Sequence, residues 1–181
     1  MTDQTKIQKP KTTPSVELIT ALTQNDINDL CDATDEAIQA GGGFGWLHLP
    51  SQDILERYWQ GVVTVPTRLL FVARLDGVIC GTAQLILPAP NNEAQAHAVQ
   101  LTTTFMSPWA RGQGLSRMLL DKVEATAVER GYKIINLDVR DTQKAAIALY
   151  ESHGYQLCGT HPHYAEVDGK PIGGRYYYKE I

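Results

Sequence analysis

The stretch Phe105-Met106-Ser107-Pro108-Trp109-Ala110-Arg111-Gly112-Gln113-Gly114-Leu115-Ser116-Arg117-Met118-Leu119-Leu120 decides how the rest of the chain is read. Upstream of it, Val99, Leu101, Thr103 and Phe105 alternate with Gln100, Thr102, Thr104 and Met106. That two-residue period predicts a strand over 97–106, with the two sets on opposite faces, closed by Pro108. Downstream, Leu115, Met118, Leu119, Val123 and Ala127 recur at helical spacing until Arg130 and Gly131, a basic residue before a glycine cap. Strand, glycine-bearing loop and helix therefore meet around Arg111. The first N–H groups of a helix have no partner within it, and the helix dipole is positive there, so a phosphate or pyrophosphate suits the turn. Gly112 and Gly114 allow close approach to the main chain, and Arg111 offers a charge-assisted bond. The turn has neither a P-loop ending nor the three-glycine spacing of a dinucleotide site, and a plain turn and cap would use the same residues.

Beyond this helix, Tyr132–Arg140 reads as a buried strand through Ile134, Ile135, Leu137 and Val139. A last helix carries Ala145, Ala146, Leu149 and Tyr150 and stops at Gly154. Tyr155–Thr160 and Arg175–Lys179 are closing strands, with Asp168 and Gly169 marking the turn region between them. On the other side, Leu69–Leu75, Asp76-Gly77 and Val78–Leu87 form a hairpin, because Asp-Gly suits a turn that needs positive φ twice. Further upstream, a short strand over Val16–Leu22 precedes a helix capped within Thr23–Asp26 and ended by Gly41–Gly43. A second helix opens at Ser51, carries Ile54, Leu55, Tyr58 and Trp59, and is expected to end at Gly61. Strand, two helices, antiparallel meander, helix, strand, helix and two strands define an α/β class with a mixed, mostly antiparallel sheet flanked by helices.

Two segments resemble one family when taken together. Arg111, Gly114 and Ser116 follow the acyl-CoA-binding motif of the GNAT superfamily of N-acetyltransferases, with Ser where Gly or Ala is usual. Ala146, Tyr150, Gly154 and Tyr155 follow its second segment, with Gln143 where Asn is usual. The two cover roughly residues 97 to 156, and their joint spacing is more specific than either alone. At a finer level Gly41–Trp46, the stretch Ala110–Ala127 and Tyr164, Asp168, Gly169, Tyr178 and Lys179 are similar to the tabtoxin-resistance acetyltransferases, which act on a small amino-acid-like toxin.

The resemblance implies transfer of an acetyl group from acetyl-CoA, as cosubstrate, to an amine in a ternary complex. It assigns cosubstrate contacts to Phe105, Met106, Arg111, Gly112, Gln113, Gly114, Leu115, Ser116 and Gln143. Backbone N–H groups at Phe105 and Met106 would polarise the thioester carbonyl, and Tyr150 would be the general acid for the departing thiolate. The residues leave the general base open. Asp138, next to Leu137 and Val139, is one choice, acting directly or through water, or else a structural carboxylate; His97, His161, His163 and Glu166 are others. Phe44 and Trp46 are expected near the acceptor, and Trp59 in the packing of the front helices. A non-catalytic acyl-CoA-binding module and a protein or peptide acetyltransferase stay open as alternatives.

Composition narrows the partners. The chain has 181 residues, one domain's length, and is expected to divide into a flexible tail over 1–14 and a single domain over 15–181. Sixteen basic against twenty acidic residues, a net charge of −4, give no general attraction to nucleic acid or to an anionic membrane surface. Apolar runs such as Leu85–Leu87 fall far short of the about 20 residues of a membrane span, and the first fourteen residues lack the apolar core of a secretory signal. A cytoplasmic location is expected, with a small-molecule amine as partner; a homodimer is compatible with the sequence. Cys31, Cys80 and Cys158 are odd in number and far apart, with no ligand spacing, so buried thiols are expected rather than disulfides or a metal site.

Overall fold

The computed structural model describes residues 12–42 and 44–181. The strands are β1 (Pro14–Ile19), β2 (Arg68–Leu75), β3 (Val78–Ile86), β4 (Ala98–Met106), β5 (Ile134–Arg140), β6 (Gln156–Val167) and β7 (Lys170–Glu180). The helices are α1 (Gln24–Gln39), α2 (Gln52–Thr64), α3 (Leu115–Glu129) and α4 (Lys144–Ser152). One seven-stranded sheet runs β1-β2-β3-β4-β5-β7-β6. Every neighbouring pair is antiparallel except β4 and β5, which are parallel. The mixed, mostly antiparallel α/β sheet expected from the sequence is the one observed. Of the tail, Pro14 opens β1 opposite Leu75, and Met1–Lys11 lie outside the described residues.

The sheet is covered on both faces, which explains the unbroken apolar run of β2. Leu69, Phe71 and Ala73 pack with Leu119, Leu120 and Val123 of α3, while Leu70 and Val72 pack with Leu30 of α1 and Trp59 of α2. Thr23 caps α1 through a reciprocal pair: its hydroxyl accepts from the Asp26 amide, and the Asp26 carboxylate accepts from the Thr23 amide. Asp76 (φ 53°) and Gly77 (φ 88°) turn β2 into β3, and Asp168 (φ 51°) and Gly169 (φ 71°) turn β6 into β7. No helix among the described residues is long and apolar enough to cross a membrane.

Several sequence expectations are corrected. The helix expected to stop at Gly61 continues to Thr64, because burial of Val62 outweighs the glycine's modest helix penalty. Met118, expected in the apolar stripe of α3, is exposed; Leu120 and Thr126 are buried instead. The closing strands are longer than expected, with a register break between His161 and Ala165 that accommodates Pro162 within β6. Cys31 and Cys80 are buried, and burial pushes both thiols up to about 11, but Cys158 is exposed.

The correction that matters for the site is in β4. Gln84 of β3 pairs with Thr102 and Thr82 with Phe105, so two residues of β4, Thr103 and Thr104, stand opposite Ala83 alone. Thr103 has φ 52°, and its carbonyl accepts a hydrogen bond from the Thr82 hydroxyl at 2.9 Å. This bulge breaks the two-residue period, so Phe105 does not share a face with Val99 and Leu101. It packs with α1 and α2, and Met106 takes the α3 face instead.

Candidate active site

β4 and β5 pair only from Ala98–Ile134 to Leu101–Leu137. Past that point Phe105 and Met106 pair with β3 alone, and Asp138 to Arg140 with β7 alone, so the two strands part. The opening between them holds two cavities that share Thr104, Gln143, Ala146 and Tyr150 as walls.

The first cavity, about 510 Å³, lies against the start of α3 and is lined by Phe105, Met106, Arg111, Gly112, Ser116 and Leu149 among others. Gly114, at the cap position with φ 79°, brings no side chain to the helix start, and a Cβ there would meet nothing within 4 Å. Gly112 and Ser116 line this end of the cavity, so the start of α3 lies beside it with no capping side chain on its first N–H groups. The Arg111 Nε donates to the Met106 carbonyl at 3.3 Å, which folds the loop back onto the end of β4. These groups fit an elongated ligand with a pyrophosphate at one end and an amide-bearing arm along β4. Gln113 is exposed and lies off the cavity, and the Leu115 side chain is in the core at 1% exposure, leaving only its main chain to a ligand. Gln143 stands at the start of α4, where its Nε2 donates to the Gly41 carbonyl at 2.7 Å and ties α4 to the end of α1 across the opening.

The second cavity, about 450 Å³, lies between the loop after α1 and the β6–β7 hairpin. Phe44, Asp138, Arg140, Tyr164 and Glu166 line it. The Asp138 carboxylate accepts from Gln100 Nε2 at 2.9 Å and, in a short hydrogen bond, from the Tyr164 hydroxyl. Burial and then that carboxylate push the Tyr164 phenol well above its ordinary value, so it remains a donor.

Tyr150 stands between the two cavities with 5% of its surface exposed. Burial pushes its phenol up to about 12, with the Asp138 charge adding and a hydrogen bond with the Thr104 side chain opposing. Its ring meets that of Tyr155 edge-on at 5.7 Å, which fixes the phenol's aim.

The structure thus brings together Tyr150, Asp138, Gln143, Arg111, Gly112, Ser116 and the end of β4. Glu166 reaches the second cavity, but His97, His161 and His163 are exposed and line neither. Trp59 is fully buried and donates from Nε1 to the Thr34 hydroxyl, a packing role. Thr104, Gln100 and Tyr164 were not assigned site roles from the sequence. The three consecutive threonines at 102–104 were a signal in the strand pattern, but the bulge that gives them their position is not written there.

The sheet with parallel neighbours that splay apart, a bare helix start beside them and a buried phenol between two cavities form a cleft with room for two ligands side by side. Residues 30–155 match the acetyltransferase (GNAT) family, and the chain belongs to that family. It is 58% identical over 130 residues to an uncharacterized N-acetyltransferase from the hisH-hisA intergenic region of Azospirillum brasilense, covering 72% of this chain and 77% of that one. An uncharacterized N-acetyltransferase of Mycobacterium bovis is 32% identical over 98 residues, covering 54% of this chain and 59% of that one. Among solved structures, an N-acetyltransferase from Staphylococcus aureus superposes with a TM-score of 0.78 at 17% identity, over 93% of this chain and 98% of that one. The acetyltransferase yncA of Salmonella typhimurium, solved with its cofactor acetyl-CoA, superposes at 0.74 and 15% identity, over 92% and 93%.

Proposed function

We propose that this acetyltransferase moves an acetyl group from acetyl-CoA to the primary amine of a small molecule, by direct attack with both substrates bound. The observation that carries the reading is Tyr150, buried between a cavity with a bare helix start and a cavity with a carboxylate. Acetyl-CoA supplies the activated acyl group. Arg111 and the main chain at Gly112, Gly114 and Ser116 hold its pyrophosphate, and the parted end of β4 receives its arm and the thioester carbonyl.

Direct transfer is supported by the shared walls of the two cavities and by the lack of any cysteine among the residues lining them. The acceptor amine has to lose a proton to become a nucleophile. Asp138, held by Gln100 and Tyr164, accepts it directly or through one water. Tyr150 keeps its proton at neutral pH and donates it toward the departing sulfur. A phenol near 12 is a weaker acid than a thiol in water, but the same apolar wall raises the proton affinity of a thiolate placed there. An amino-acid-like acceptor is favoured by the likeness of Gly41–Trp46 to the tabtoxin-resistance enzymes, since Gly42, Phe44 and Gly45 line the second cavity.

The test is thiol release from acetyl-CoA with a panel of primary amines, followed by mass spectrometry of the acceptor. N-acetylated product and stoichiometric CoA are expected. Acetyl-CoA binding with no transfer to any amine, peptide N-termini included, would leave a cosubstrate-binding module in place of an enzyme.

A further inference from the structure

The acceptor cavity has a second arm. A recess of about 360 Å³ shares Phe44, Gly45, Thr102 and Thr103 with it and reaches the start of β2, where Arg68 lines it. Three aromatic rings wall this recess. Trp46 meets Tyr58 edge-on at 5.1 Å, and Phe44 lies 5.3 Å from Trp46 and 5.7 Å from Tyr58.

The polar end is a chain of hydrogen bonds with one open member. Gln84 is completely buried; its Oε1 accepts from Arg68 Nη1 at 2.8 Å and its Nε2 donates to the Tyr58 hydroxyl at 3.2 Å. Because a guanidinium only donates, the Gln84 amide has one possible orientation and both its ends are engaged. Arg57, Arg74 and Arg175 each pair with a carboxylate, but Arg68 makes no ion pair among the described residues. A half-buried guanidinium held by a neutral amide still has donors in a planar fork and an uncompensated charge, an arrangement that suits a carboxylate.

We infer that this recess is a carboxylate subsite, and that the acceptor is an amine bearing a carboxylate several bonds away, as in an ω-amino acid. The inference rests on the acetyl-transfer reading for the amine end only. At that end Asp138 and Glu166 are anionic groups that suit an incoming ammonium, and Arg140, which lines the same arm, donates to the Gly41 carbonyl at 3.5 Å; Arg68 lies in the other arm. An α-amino acid carries its two charges too close together to use both arms. A longer chain passes over Thr102 and Thr103 between aromatic walls, which favour methylene groups. The placement of Arg68 in one arm and of the carboxylates in the other favours an acceptor whose two charges lie apart.

The experiment is calorimetric titration of γ-aminobutyrate and ε-aminocaproate, each against its primary amide, into the protein saturated with CoA so that no turnover occurs. At least one carboxylate is expected to bind about tenfold or more tighter than its amide, as for a hydrogen-bonded ion pair. Arg68→Met is expected to bring that ratio to near one, and Arg68→Lys, which keeps the charge without the fork, to retain part of it. The rise in Tm on adding acetyl-CoA shows that each variant is folded. Equal binding of acid and amide by the natural protein, binding of neither, or an unchanged ratio in Arg68→Met would overturn the subsite. A carboxylate preference without thiol release would leave the subsite standing and remove the transfer reading; thiol release from amines without that preference would do the reverse.

Discussion

Tyr150 joins two physical requirements that pull in one direction. Its phenol has to be dry to stand between two substrates, and dryness holds its proton on, at about 12. Because that value is raised, the protonated form prevails at every pH below it, and the acid is intact throughout the neutral range. Turnover is therefore expected to show no falling limb between about pH 8 and 10. A falling limb in that window, with the protein still folded by circular dichroism, would show that the proton comes from a group other than this phenol. Tyr150→Phe removes one oxygen and little volume, so kcat is expected to drop by about a hundredfold or more while acetyl-CoA affinity changes little. Unchanged kcat would remove Tyr150 from the chemistry. The position of this residue was legible because the spacing of Ala146, Tyr150 and Gly154 resembles a family segment. Tyr164 is not assignable from the sequence: it reaches Asp138 only because β6 and β7 form a long hairpin, whereas the sequence pattern ends the first closing strand at Thr160 and begins the second at Arg175.

At the level of elements, helices and hairpins with strong local signals came out of the sequence nearly intact. Thr23 with Asp26 and Asp76 with Gly77 act over a few residues, and local chemistry settles them. The bulge in β4 is a different matter, because it depends on what β3 offers across the sheet. Gly81 stands opposite Met106, and a Cβ placed on it would lie 2.8 Å from the Phe105 carbonyl oxygen and 2.6 Å from Met106 Cε. Only a residue without a side chain lets the end of β4 approach so closely while Phe105 and Met106 point to opposite faces. Gly81→Ala is therefore expected to cost about 2 kcal/mol through overpacking against backbone. In a chain of this length that is a fall in Tm of roughly 4–8 °C. It should also weaken acetyl-CoA binding, since Met106 lines that cavity. A Tm within a degree of the natural protein would show that β4 shifts without strain and that the bulge does not depend on this contact.

Across the whole molecule, the sheet is joined unevenly at its centre. On one face the core is continuous from Phe71 through Leu119 to Ile135, Ile147 and Tyr177; α3 packs over β1–β4 and reaches β7 through the Glu124–Lys179 ion pair at 2.6 Å. On the other face the core made by α1 and α2 ends at Phe105 and includes nothing from β5 or β7. Across the opening there, bonds from Gln143 and Arg140 to the Gly41 carbonyl link the two sides. Four paired positions between β4 and β5 complete the connection at the centre of the sheet. A ligand in the first cavity would touch Ala37 and Gly42 on one side and Gln143 and Ala146 on the other, adding a bridge where the fold has least. Acetyl-CoA at about a hundred times its Kd is expected to stabilise the protein by about 2.7 kcal/mol. For a domain of this size that corresponds to a rise in Tm of roughly 5–10 °C. Amide exchange should slow most at the end of α1, at the end of β4 and at the start of α4, and least in the β6–β7 hairpin, which lies outside the bridged region. An unchanged Tm at millimolar acetyl-CoA, or protection confined to the hairpin, would place the acyl donor elsewhere and separate the parted strands from the chemistry assigned to them.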